Sequence, residues 1–253
     1  MRLLQNFSFA RVTARIFLFF LCVGLFFFGA GCVSSGKVIL TERDPIALVS
    51  VVSNREINWQ GEEPLKPGTA GPFTVRLLNS DPDLAYVSNA VELINSAERI
   101  IREQMAASDL INLAEKEQVL FSRAYRDARM NKYQVRDDNV KPSGYEFVDF
   151  RDRNFPAALA SETGVKRCLF VEFNFTQAMA SGIRANGSFR ANVEMKVTIL
   201  DARGKTLYQK IHSMKSLSTA KISNRTYSES GLMELFDSAI MDTCQEFLDS
   251  LKK

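Results

Sequence analysis

Cys168-Leu169-Phe170-Val171-Glu172-Phe173-Asn174-Phe175 begins as a continuous apolar run and passes into alternation. The reading is a strand buried on both faces at its start and emerging at a sheet margin at its far end. Downstream, Val193, Met195, Val197 and Ile199 alternate with Glu194, Lys196 and Thr198. Asp201-Ala202-Arg203-Gly204-Lys205 then turns the chain, and Leu207, Gln209 and Ile211 continue on one face. That pattern is a β-hairpin with a glycine turn. Leu232, Phe236, Ile240, Cys244, Phe247 and Leu251 follow at helical spacing, an apolar stripe that needs a sheet to cover it. Between the two strands, Gln177 to Arg190 holds Ala178-Met179-Ala180-Ser181-Gly182-Ile183 and no acid, which reads as a connecting loop able to meet a partner or a membrane.

Upstream, Ile46 to Val52 is a β-branched and aliphatic run bounded by Pro45 and Asn54, suited to another central strand. Asn54 to Asp81 has the composition of a long loop and carries the only tryptophan, Trp59, as a contact residue or a pin to the core. Ser80-Asp81-Pro82-Asp83 announces a helix with Leu84, Val87, Val91, Ile94, Ala97, Ile101 and Met105 on one side. Leu110 to Leu113 is a short strand, Glu117 to Met130 resumes helical spacing through Val119, Leu120, Ala124 and Ala128, and Asn154-Phe155-Pro156 opens a helix that stops at Gly164. The expected fold is α/β: a single mixed-sheet sandwich over residues 44–253, with helices packed on the sheet and a late β-hairpin followed by a C-terminal helix.

Residues 1–31 stand apart. Arg2, Arg11 and Arg15 precede the apolar run Ile16 to Phe28, and Gly29-Ala30-Gly31-Cys32 closes it with small residues. The run is short of the ~20 residues of a spanning helix, which favours a cleaved signal over an anchor helix. The junction resembles the lipobox of bacterial lipoproteins, in a relaxed spirochaete-type form with Gly29 where most carry Leu. The resemblance implies a signal peptide over 1–31, lipidation of Cys32, a tether over 32–43, and a place on the periplasmic face of the inner or outer membrane.

The whole chain carries 32 Lys and Arg against 29 Asp and Glu, and residues 1–31 hold three Arg and no acid, so the remainder balances at 29 against 29. This neutrality removes the basic balance that nucleic-acid binding needs. Cys168 and Cys244 read as buried thiols, with a strand-to-helix disulfide as the other option. His212 is the only histidine and reads as an exposed sheet residue on the side of Tyr208 and Lys210. No catalytic constellation, metal site or cofactor motif accompanies it, and Asp137-Asp138, Asp149-Asp152 and Glu62-Glu63 read as solvated loop charge.

The first strand, the run Pro156 to Glu172, the alternating Val193 to Leu200 and the turn Asp201-Ala202-Arg203-Gly204-Lys205 are together similar to a group of envelope lipoproteins. It comprises the curli-secretion lipoprotein, the lipoprotein activators of penicillin-binding proteins and the amino-terminal domain of the Tol-system propeller protein. The resemblance implies a non-catalytic envelope protein that binds another envelope protein or assists envelope assembly. Trp59, Phe175, Met179 and Ile183 are the candidate contact residues. The other reading is a carrier or sensor of an apolar ligand, held in a cavity lined by Phe170, Phe173, Phe175 and Phe236.

Cys32→Ser should leave an unprocessed precursor, because its thiol is the lipid acceptor at the junction. Mass spectrometry of the mature amino terminus checks this, and cleavage elsewhere would contradict it.

Overall fold

The computed structural model describes residues 44–60, 90–136, 139–224 and 226–252. Cys32, the tether and the signal segment lie outside them, as do Leu84, Val87 and the Ser80 to Asp83 cap.

The sheet is organised by β4 (Arg167–Ile183), which is paired along both edges. On one side lies β1 (Pro45–Ser53), parallel, from Ile46 opposite Arg167 to Ser53 opposite Phe173. Past it, β2 (Asn58–Trp59) continues the same edge in parallel, Trp59 opposite Gln177. On the other side β5 (Asn186–Asp201) runs antiparallel from Asp201 opposite Arg167 to Asn186 opposite Ile183. β3 (Asn112–Leu113) extends the sheet beyond β1. Beyond β5 lie β6 (Thr206–Lys215) and β7 (Ala220–Ile222), antiparallel to it in succession along one edge. The sheet is mixed, as its parallel first strand and late hairpin require.

Helices cover both faces at the end where β1 and β4 begin, here called the foot. On one face α1 (Ala90–Ala106) and α6 (Glu229–Leu251) meet Leu169, Val171, Phe173 and Phe175 of β4 and the expected Val193, Met195, Val197 and Ile199 of β5. The α6 stripe is buried from Leu232 to Phe247. Along α1 the buried arc includes Ala90, Leu93, Ile94, Ala97 and Ile101, and Val91, expected inside, is 51% exposed because it lies about 100° from Ala90, off that arc. On the other face Ala47, Val49, Cys168, Phe170 and Leu200 are covered by α2 (Lys116–Leu120), α3 (Arg123–Arg126) and α5 (Asn154–Thr163) through Val119, Tyr125, Phe155 and Leu159. Gly164 ends α5 at φ 75°, the left-handed stop expected from its position. A short α4 (Lys132–Arg136) follows α3.

Three expectations are corrected here. The helical pattern of Glu117 to Met130 is broken at Phe121-Ser122, because Ser122 caps α3: its Oγ donates to the Val119 carbonyl (2.8 Å) and accepts from Tyr125 N–H (3.1 Å). Gln177 to Arg190 is no loop: β4 and β5 continue to a two-residue turn at Arg184-Ala185. The face of β6 turned to α6 carries Tyr208 and His212, while Ile211 is 60% exposed on the other side. A register shift between Ile199 and Leu200 leaves Leu207 unpaired next to the turn, and from Tyr208 onward the strand alternates with Tyr208 and His212 opposite Ile199 and Met195.

Cys168 and Cys244 are free and belong to clusters on opposite faces of the sheet, which rules out the disulfide; burial pushes both thiols up to about 12. Phe236 meets Phe175 edge to face at 5.4 Å, and Phe175 stacks on Phe173 at 5.2 Å. Phe236→Ala should therefore cost about 3–5 kcal/mol in denaturant unfolding, while Gln245→Ala on the exposed side of α6 should stay within about 0.5 kcal/mol.

Candidate contact surface at the hairpin end

The half of the β4–β5 hairpin far from the foot is made of small and polar residues, and a bulge sets which way they face. Met179 pairs with Phe189, but the register shifts at Ala180, so Ser181 pairs with Ser188 and Ile183 with Asn186. Adjacent residues on β5 point to opposite faces, so Met179 shares the side of Phe189 whereas Ser181 and Ile183 lie on the other. Near the turn the two strands pinch together. A Cβ on Gly187 would stand 2.3 Å from the Ser181 carbonyl oxygen, and Gly182 holds φ +72° with equally little room. Only glycine fits there. The Ser181 and Ser188 hydroxyls close the pair at 2.8 Å.

The four candidate contact residues separate. Ile183 is 66% exposed at the turn and Met179 is 37% exposed. Trp59 is half-buried: its ring meets Phe189 edge-on at 5.9 Å, and the Arg184 guanidinium lies 4.8 Å from its centroid. It thus pins the β2 segment to the hairpin while keeping one side open. Phe175 is 1% exposed and committed to the core against Phe236, so it offers no contact surface. Tyr227, 5.0 Å from Phe189, accepts a bond from Gln177 Nε2 at 3.3 Å, and burial raises its pKa.

A carrier cavity requires Phe170, Phe173, Phe175 and Phe236 to line one space. Phe173, Phe175 and Phe236 instead pack ring on ring, and Phe170 lies on the opposite face. There it helps line a depression of about 20 Å³ with Ser50, Glu172, Lys196 and Thr198, room for one water.

His212 is fully buried, not exposed. Nε2 stands 2.7 Å from the Tyr208 hydroxyl, which also meets Ser250 Oγ at 2.8 Å; Nδ1 stands 3.6 Å from Glu246 Oε1. Desolvation lowers its pKa, Glu246 opposes that and Lys210 adds to it. The hydrogen bonds linking His212 to Tyr208 and Tyr208 to Ser250 fasten β6 to the last turns of α6. The burial of His212 follows from the face that β6 presents, which the apolar pattern of Leu207 and Ile211 concealed. Among the described residues no group of three His, Cys, Asp or Glu could hold a metal ion, and no helix is long and apolar enough to cross a membrane.

No family model matches the chain, and no curated protein matches it. Among solved structures it is similar to the LpoB C-terminal domain from Salmonella enterica, at TM-score 0.32 and 10% identity over 68% of this chain and 82% of that one. It is also similar to the hypothetical protein CT253 from Chlamydia trachomatis, at TM-score 0.33 and 12% identity over 83% of this chain and 93% of that one.

Two outcomes are expected. Gly187→Val should open the hairpin end, seen as faster amide exchange at Met179 to Ile183 with the foot unchanged. His212 binds its proton more weakly folded than unfolded, so stability should fall as pH drops below the unfolded value of about 6.5. His212→Gln should flatten that slope between about pH 6.5 and 5 in denaturant titrations. An unchanged slope would contradict the assignment.

Proposed function

We propose that this protein is a non-catalytic lipoprotein of the bacterial envelope, held at the membrane by lipid on Cys32, which binds another envelope protein through its hairpin end. The observation that carries the reading is the separation of the two ends. Ile46, near the start of the described chain, pairs with Arg167 at the foot of β4, and the exposed turn at Ile183 lies sixteen residues further along that strand. At about 3.3 Å per residue the two ends stand about 50 Å apart. Twelve tether residues, 32–43, span at most about 40 Å when extended. With that reach, lipid on Cys32 keeps the foot within about 40 Å of the membrane and leaves the far end of β4, with Trp59, Met179 and Ile183, free to extend beyond that distance. The buried state of His212 and the closed packing around it support a binding role over catalysis.

The test is a photo-cross-linking residue at Ile183 or at Arg203, which is exposed at the foot, in the processed protein within its own envelope. Ile183 should yield one discrete protein adduct that Arg203 does not, and Cys32→Ser should abolish it. Equal adducts from both positions, or adducts from Arg203 alone, would overturn the reading.

A further inference from the structure

Three cations without an ion pair among the described residues lie together on the side of the hairpin that the helices leave open. Arg190 stands opposite Ala178 on β5, and its Nε is buried without a hydrogen-bond partner. Lys221 of β7 is opposite Ser188 and Lys215 of β6 is opposite Asn192. Ser188, Arg190 and Asn192 alternate with Phe189 and Ala191, so all three cations point to one face, the two lysines diagonally flanking Arg190 at about 7–8 Å. Lys215, Lys221, Ser181 and Ile183 are exposed there. The helices on that face cover Cys168, Phe170 and Leu200, at the foot. The sequence has no acid from Phe175 to Val193 or from Met214 to Ser228. The nearest acid on the same face, Glu194, is held by Asn174 Nδ2 at 3.0 Å. Glu194 keeps its charge diagonally across from Lys215, so the positive field of the cluster is strongest at Arg190 and Lys221, which have no acid beside them on this face.

We propose that this face receives an acidic segment of the partner protein, its carboxylates meeting Arg190, Lys215 and Lys221 and its apolar side chains meeting Ile183. The inference rests on the reading above and specifies the chemistry of the partner. A lipid surface is the less suited anion, since the patch lies at the end of β4 opposite the foot, where the described chain begins. Arg190 supplies a forked donor set, and the lysines supply point charges that steer association.

The test uses the full-length Cys32→Ser protein in neutral detergent, so that lipidation and binding are read separately, with fluorescent poly-L-glutamate as the probe and polarisation as the readout. Binding should saturate and weaken with added salt. Lys215→Gln with Lys221→Gln should weaken it about tenfold, and Arg190→Gln should weaken it further, whereas Lys166→Gln with Arg203→Gln at the foot should leave it unchanged. Circular dichroism confirms that each variant is folded. Absence of binding by the unmodified surface, persistence in the double variant, or an equal loss in the foot variant would overturn the proposal. Tighter binding of the same residues to phosphatidylglycerol vesicles than to poly-L-glutamate would overturn it in favour of a lipid surface. Failure here would leave the lipoprotein reading standing, which the fate of Cys32 decides.

Discussion

Pairing of β4 along both edges is the constraint from which the rest of the molecule follows. Its first seven residues lie between β1 and β5, so their backbone groups are satisfied on both sides, and the run Cys168 to Val171 under the helices is apolar on both faces. Because β4 has a side-chain period of two, the register with β1 fixes Leu169, Val171 and Phe173 towards α1 and α6, and Cys168 and Phe170 towards α2, α3 and α5. A slip by one residue would exchange these sets and bury Glu172 among the rings of α6. Two long helices on one face and several short ones on the other are the covers that such a doubly apolar strand demands.

The same strand changes character along its length, and that change divides the molecule into two ends. At the foot large aliphatic and aromatic side chains fill both faces. Towards the turn alanine, serine and glycine replace them, the helices stop, and stability rests on strand pairing with Trp59, Phe189 and Tyr227 as the remaining apolar pack. Such a region opens at lower free energy than the core and is free to adapt to a partner. On the face that the helices leave open, the exposed Lys215 and Lys221 flank the half-buried Arg190, so that their charge stays solvated and available for contact.

Much of the fold was legible because periodicity reports burial directly. The runs Ile46 to Val52 and Cys168 to Phe175, the alternation of Val193 to Ile199, the Asp201 to Lys205 turn, the Gly164 stop and the stripe of the last helix all rest on one-dimensional patterns. What was illegible involves interrupted period or long-range choice. The hairpin end was hidden because a bulge at Ala180 breaks the alternation and because Ala, Ser and Gly carry little strand preference. The inward face of β6 was hidden because Ile211 is an apolar residue on the open side, while His212 and Tyr208 are polar residues inside. The basic patch was invisible as a sequence cluster because Arg190, Lys215 and Lys221 are brought together only by the pairing of three strands. The absence of acid around them was its one linear sign.

The central claim is that the foot faces the lipid and the hairpin end stands away from it. It is tested most directly by energy transfer between a label on the hairpin and an acceptor in the bilayer. Lipidated protein is reconstituted in vesicles containing an acceptor dye at the lipid surface, and the donor is placed at Ile183→Cys or at Arg203→Cys. The account predicts efficient transfer from the Arg203 position and weak transfer from the Ile183 position, separated by the about 50 Å length of β4. Equal transfer from both, or stronger transfer from the hairpin, would contradict it.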